Sequence, residues 1–303
     1  MNNSVYEEII KLKKETNTLI LAHTYQNPDI IDIADITGDS FALAKKAVNS
    51  GAKRVMMCGV RFMAESIKIL SPETEVILPV PEATCPMAEM ISPERVREYK
   101  KLNPDAAVVA YINTTAALKA ECDVCVTSSS ALKIVSQLDA PEILFIPDKN
   151  LGSFVKEKFP DKNIVLWDGY CPVHSLITED DILNVKKEHP EALLAVHPEC
   201  DKNVVKHADM AGSTAEITDY ALKSDKPVII GTERGVADYL IPHNPDKTFY
   251  YLCPEKLVCK DMKLVTPEAV LSALKGEGGE LIELDIELCK KAKHSIDEML
   301  RLG

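Results

Sequence analysis

A chain of 303 residues with 46% apolar residues and a formal charge of −12 can bury one large core or two to three smaller ones. The acidic balance argues against a nucleic-acid partner, because phosphate neutralisation needs a basic surface. No run reaches the ~18 uncharged apolar residues of a membrane span, and Met1-Asn2-Asn3-Ser4 lacks a secretory apolar core.

The expectation is a cytoplasmic protein without membrane contact, in which nine cysteines are thiols, metal ligands or catalytic groups rather than a disulfide framework. In chain order, Ser4 and Glu7 read as a capping box opening a helix over 7–15. The apolar run 18–22 suits a buried strand and ends in a polar loop from His23 to Pro28. Gly38-Asp39-Ser40 opens a helix over 41–49 that Gly51 closes. A strand over 54–58, a helix over 62–70 and a short strand over 75–79 lead to Cys85.

From Ser92 the order begins again. A helix to 101 has Pro93 in its first turn, where the missing N–H is harmless. Strands over 106–110, 124–126, 143–146 and 164–167 alternate with helices from Ala131 and over 151–158, and lead to Cys171. A third round sets a helix over 178–188, strands over 192–196, 228–230 and 249–252, and helices after Gly212-Ser213-Thr214 and over 235–240 before Cys259. Thr266 caps a terminal helical segment, and 276–279 forms a glycine-rich link to the last helix.

The spacing makes this a repeat. The caps Ser4, Ser92, Thr178 and Thr266 are 88, 86 and 88 residues apart, and the strand ends His23, Tyr111 and His197 are 88 and 86 apart. Ser40, Ser128 and Thr214 keep the same 88 and 86. Cys85, Cys171 and Cys259 are 86 and 88 apart, each with a hydroxyl residue seven positions later. Four landmarks in register imply triplicated units. Strands alternating with helices predict an α/β chain of three homologous αβα sandwich domains with parallel sheets about a pseudo-threefold axis. The units run over 4–85, 86–171 and 172–259, with 260–303 packing back on the first.

Ligands gather at the carboxyl ends of parallel strands. Equivalent cysteines in three units can meet at one point, and three thiolates hold a metal centre while leaving a position open. A [4Fe–4S] cluster would then have one iron without a protein ligand, able to act as a Lewis acid. A Cys₃ zinc site with bound water is the chemical rival, and three buried thiols are the bland alternative. His23, Tyr25, Tyr111, Asn113, His197 and Glu199 leave strands at matching points and supply proton-transfer groups and carboxylate donors. Ser40, Ser128, Ser213 and Thr214 stand at expected helix N-termini, where N–H groups and hydroxyls suit an anion unless they serve only as caps.

Other residues read more weakly. Cys122 and Cys125 have C-x-x-C spacing without a partner pair, and Cys253 is a possible substitute for Cys259. Cys58, Cys200 and Cys289 read as packing thiols. His174 follows Cys171 by three and is placed toward the site, whereas His189, His207, His243 and His294 read as solvated.

The motifs Ala22-His23-Thr24-Tyr25-Gln26, Gly38-Asp39-Ser40, Tyr111-Ile112-Asn113, Trp167-Asp168-Gly169-Tyr170-Cys171-Pro172-Val173-His174, His197-Pro198-Glu199-Cys200, Gly212-Ser213-Thr214, Gly231-Thr232-Glu233-Arg234-Gly235 and Cys259-Lys260-Asp261-Met262 occur in this order. In them the chain resembles the quinolinate synthase family over essentially its whole length. The resemblance implies a three-domain αβα fold around a [4Fe–4S] cluster held by Cys85, Cys171 and Cys259. It also implies condensation of iminoaspartate with dihydroxyacetone phosphate to quinolinate, phosphate and water in NAD biosynthesis. A functional link to L-aspartate oxidase or aspartate dehydrogenase follows from the same resemblance. By that analogy Tyr111, Asn113, Ser128 and Thr214 would hold the diacid, and His23, Ser40, His197 and Ser213 would surround the triose phosphate. Tyr25 and Glu199 would move protons.

Overall fold

Short apolar runs rich in Val, Ile and Leu can be buried on both faces only in a parallel sheet covered by helices, and that is what they form. The computed structural model describes residues 3–303, so Met1 and Asn2 of the N-terminal reading lie outside it. The first sheet contains β1 (Thr18–His23), β2 (Ile36–Gly38), β3 (Arg54–Cys58) and β4 (Glu75–Leu78). The second contains β5 (Ala107–Tyr111), β6 (Val124–Val126), β7 (Ile143–Ile146) and β8 (Ile164–Leu166). The third contains β9 (Leu193–Val196), β10 (Met210–Ala211), β11 (Val228–Gly231) and β12 (Phe249–Tyr251). The orders β2-β1-β3-β4, β6-β5-β7-β8 and β10-β9-β11-β12 are the same pattern three times, all parallel. β13 (Glu280–Leu281) adds to the first sheet antiparallel to β4, pairing Glu280 with Leu78.

A further landmark keeps the repeat. Asp35, Asp123 and Asp209, 88 and 86 apart, accept from the backbone N–H of Ile20, Val108 and Leu194 at 2.9, 2.7 and 2.7 Å. Each of these aspartates also donates its own N–H to the carbonyl of the same strand residue. Lys13, Lys100 and Lys186 close the three clips from the preceding helices.

The expected helix starts hold where a hydroxyl meets the N3 amide. Thr178 and Asp181 form a capping box before Glu179–Glu188, and Thr266 caps Pro267–Lys275. Ser92 occupies the cap position of Pro93–Leu102 with proline in the first turn, but its hydroxyl makes no cap bond to the helix backbone. Three starts differ. The first helix, Asn3–Glu15, already contains Ser4. Asp39 rather than Ser40 caps Ser40–Ser50, because its carboxylate reaches the Ala42 N–H at 2.8 Å. Ser128 lies in a turn before Ala131–Gln137, where Thr127 and Ser130 bond reciprocally through hydroxyl and N–H. Gly51 closes its helix in the left-handed region, at φ 67°.

The chain divides into two compact units. One comprises residues 3–85, Thr115–Ala120 and Cys259–Lys293 and holds the first sheet; the other comprises Pro86–Thr114, Glu121–Val258 and His294–Gly303 and holds the second and third. In the first, Ile9, Ile20, Ile33, Met56, Val265 and Val270 share a core, which seats Pro267–Lys275 on Asn3–Glu15. In the second, Ile182, Leu194, Val196, Val204, Ile229 and Leu252 form a core that includes Cys253. Among the described residues no helix is long and apolar enough to cross a membrane.

Candidate active site around Glu199

The strand ends repeat a local turn as well as a position. After β1, the Tyr25 N–H donates to His23 Nδ1 at 3.1 Å; after β9, the Glu199 N–H donates to His197 Nδ1 at 3.3 Å. In both turns the ring nitrogen Nδ1 is the acceptor, which leaves the Nε2 edge of each imidazole facing away from its own turn. In the first unit His23 is buried, its ring edge-on to the half-buried Tyr25 at 4.5 Å. Lys263 Nζ donates to the Tyr25 carbonyl. Ser40, Cys85 and Cys259 belong to the same unit.

In the second unit five of the expected residues meet at one carboxylate. His174 Nδ1 lies 2.8 Å from Glu199 Oε2 and 3.3 Å from Cys171 Sγ. The His174 and His197 rings stack with centroids 5.0 Å apart, and Tyr111 bonds the Glu199 carboxylate. His174, His197 and Glu199 are 2%, 3% and 4% exposed, so water contributes little to holding the carboxylate charge. Burial works against ionisation of Glu199, but His197, His174 and the bonds from His174 and Tyr111 outweigh it and hold its carboxyl well below the usual range. Asp148, also buried, shows the opposite balance. Burial and the charge of Glu199 push its carboxyl well above the usual range, against three backbone N–H donors. Of the two carboxyls, Glu199 is the one held lower.

Asn113, Ser128 and Ser213 lie in this unit on the loops after β5, β6 and β10, and Thr214 opens the helix that follows. Ser213 caps Thr214–Lys223 in a capping box with Glu216. Two histidines read as solvated have partners instead: His189 stacks on Tyr250 at 3.5 Å, and His207 bonds Glu179 at 2.6 Å. His243 bonds the Tyr239 carbonyl at 2.7 Å while exposed. An aromatic face or a carboxylate one helix away gives no local signal in the sequence. Thr232, buried after β11, was missed as a site residue; its hydroxyl is 3.0 Å from His174 Nε2. The Gly231–Gly235 motif was the signal available for it.

The cysteines sort by exposure. Cys58, Cys122, Cys125, Cys200, Cys253 and Cys289 are buried, whereas Cys85, Cys171 and Cys259 are partly exposed. Burial pushes the Cys58 thiol up to about 12. Burial and the Glu255 carboxylate do the same for Cys253, also to about 12. Each in-phase cysteine opens a short helical turn: Pro86–Glu89, His174–Leu176 after Cys171, and Lys260–Lys263. Three accessible thiols in equivalent settings fit a thiolate-bound metal group. Cys171, His174 and Glu199 also bring potential ligand atoms within 4.8 Å of one another. Two atoms on one tetrahedral zinc stand roughly 3.3 Å apart; the 2.8 Å between His174 and Glu199 is a hydrogen bond.

A family model described as NadA, Quinolinate synthetase A protein, matches residues 7–301. The chain belongs to the quinolinate synthase family. The quinolinate synthase of Caldicellulosiruptor bescii is 48% identical over 297 residues, spanning 98% of this chain and 97% of the relative. That of Clostridioides difficile is 46% identical, over 100% of this chain and 99% of the relative. That of Aquifex aeolicus is 44% identical, over 98% and 94%. The chain is therefore an enzyme of the quinolinate synthase family.

Proposed function

We propose that this enzyme condenses iminoaspartate with dihydroxyacetone phosphate to quinolinate, phosphate and water, as a cytoplasmic step of NAD biosynthesis. Cys85, Cys171 and Cys259 would hold a [4Fe–4S] cluster, which supplies Lewis acidity toward a substrate oxygen through the iron that lacks a cysteine. The observation that carries the reading is Glu199, a buried carboxylate kept charged between His174, His197 and Tyr111 and beside Cys171.

A carboxylate held below the usual range is a weak base, so Glu199 takes a proton from a carbon acid or an imine N–H only as substrate displaces one of the donors that hold it. His174 Nδ1–H stays hydrogen-bonded to Glu199 and steadies the carboxylate while the proton is transferred. Tyr111 both orients the carboxylate and offers a phenolic donor, and His197 contributes an Nε2 proton. Asn113, Ser128 and Thr214 supply neutral donors for the two carboxylates of the diacid, so an acidic protein gathers an anionic substrate by hydrogen bonds. His23, Ser40 and Ser213 serve the phosphate-bearing triose, and Tyr25 moves a second proton. The supply of iminoaspartate by L-aspartate oxidase or aspartate dehydrogenase completes the reading.

The test is direct. Protein loaded anaerobically with iron and sulfide is given dihydroxyacetone phosphate together with oxaloacetate and ammonia, which form iminoaspartate, and the products are resolved by mass spectrometry. Quinolinate with equimolar phosphate is expected. Loaded protein that consumes neither substrate overturns the proposal. Substoichiometric sulfide with bound zinc would assign the thiols to a mononuclear site instead.

A further inference from the structure

We propose that Asp148 and Asn150 are positioning residues: the single turn that follows β7 sets the places of both Cys171 and Glu199. The two functional loops belong to different repeats, the first following β8 and the second following β9. The β7 turn reaches both.

Toward Cys171 the hold is threefold. Asp148 is fully buried, and its Oδ2 accepts the Cys171 N–H at 3.2 Å. Asp148 also pairs with Gly169 in an isolated parallel bridge, and the Lys149 N–H donates to the Gly169 carbonyl at 2.8 Å. Gly169 is needed for that approach, since a Cβ there would overlap the Pro147 carbonyl. The segment 169–171 is thus laid against the turn by backbone contact and then fixed by one carboxylate.

Toward Glu199 the hold is a side-chain amide. Asn150 Nδ2 donates to the Glu199 carbonyl at 2.9 Å, and Asn150 is itself buried. Its place is set by Asp148, whose Oδ1 accepts the N–H groups of Asn150 and Leu151 at 2.7 and 2.8 Å and caps Lys149–Lys158. One carboxylate therefore organises the helix start that carries Asn150 while its other oxygen holds Cys171. The chain places a buried aspartate here because three backbone N–H donors converge, and a neutral side chain of that size could satisfy fewer of them.

The inference takes the roles of Cys171 and Glu199 from the proposed function, but the structure supplies a thiol in each loop, so it can be tested without turnover. Cys171 reports its own loop. Cys200, adjacent to Glu199 and buried, reports the other. Metal-free protein is treated with iodoacetamide, and the alkylation rate of each cysteine is followed by peptide mass spectrometry. Asp148→Asn keeps the volume but sets an amide against an N–H, and should raise the Cys171 rate about tenfold with Cys85, Cys259 and the buried Cys58 unchanged. Asn150→Ala should raise the Cys200 rate by a similar factor and leave Cys171 as it was. In loaded enzyme Asn150→Ala should lower kcat about tenfold with KM little altered. Should Asp148→Asn fail to fold, the Asn150→Ala arm decides alone. Unchanged rates at both loops overturn the inference, and so does a rise at Cys58 in step with the others, which marks general loosening. A wild-type protein that makes no quinolinate would overturn the proposed function while leaving the alkylation result to stand.

Discussion

Thr232→Val isolates one hydrogen bond in the Glu199 cluster. Valine fills the same volume as threonine, so the change opens no cavity and removes only the hydroxyl, which lies 3.0 Å from His174 Nε2. Thr232 is fully buried and His174 is 2% exposed, so no water replaces the lost partner. A buried polar group left without its bond costs about 1–3 kcal/mol. With His174 pointing its other nitrogen at Glu199, that loss falls on the orientation of the imidazole in the reacting complex. At 1.36 kcal/mol per tenfold in rate, kcat should drop by roughly 5- to 150-fold with KM nearly constant. Thr232→Ser is the complement: it keeps the hydroxyl and deletes a methyl, so turnover should stay within about twofold while stability falls by about 0.5–1.5 kcal/mol. Anaerobic steady-state kinetics and thermal melts of both variants read the two effects separately. A valine variant with full turnover beside an impaired serine variant would refute the role given to the Thr232–His174 bond.

In metal-free wild-type protein, iodoacetamide should modify Cys85, Cys171 and Cys259 well before Cys58 and Cys253, whose thiols burial pushes up to about 12; equal rates in peptide mass spectra would contradict this sorting. Acid should destabilise the fold. At Asp209 burial opposes ionisation, but the Leu194 N–H and Lys186 outweigh it, and Arg61 holds the Glu280 carboxyl below its usual value. Carboxyls with depressed folded values add stability above the unfolded value near pH 4 and lose it as pH falls through the lowered one, so the melting temperature should drop below about pH 4. A flat profile from pH 6 to 3 would be inconsistent with the pairing of Asp209 and Glu280. In the first unit, burial raises the Glu65 carboxyl and the fully buried Lys119 beside it offsets part of that. Lys119→Met should cost about 3–5 kcal/mol in urea unfolding, and adding Glu65→Leu should recover much of it; additive losses would mean the two do not interact.

The repeat was legible in the sequence because its landmarks are chemical necessities of each unit. A helix start needs a hydroxyl or carboxylate, as at Thr178 and Thr266, and a strand buried on both faces needs a run like 143–146. The strand-end residues His23, Tyr111 and His197 were visible by phase alone. The clip aspartates Asp35, Asp123 and Asp209 keep that phase too, and only their ordinary acidic character hid them.

Elements such as β10, β13, Ala116–Lys119 and Lys202–Val205 span four residues or fewer, too short to show a period, and exist because neighbours pair with them or cover them. The tertiary structure decided the rest of the site. His174 was readable as a neighbour of Cys171, but its bonds to Glu199 and Thr232 join loops 25 and 58 residues away. Asp148 and Asn150 act through backbone N–H and carbonyl groups, which every residue has and no sequence pattern marks. Local chemistry writes periodicity into a chain; the meeting of distant backbone groups is settled only when the strands have packed.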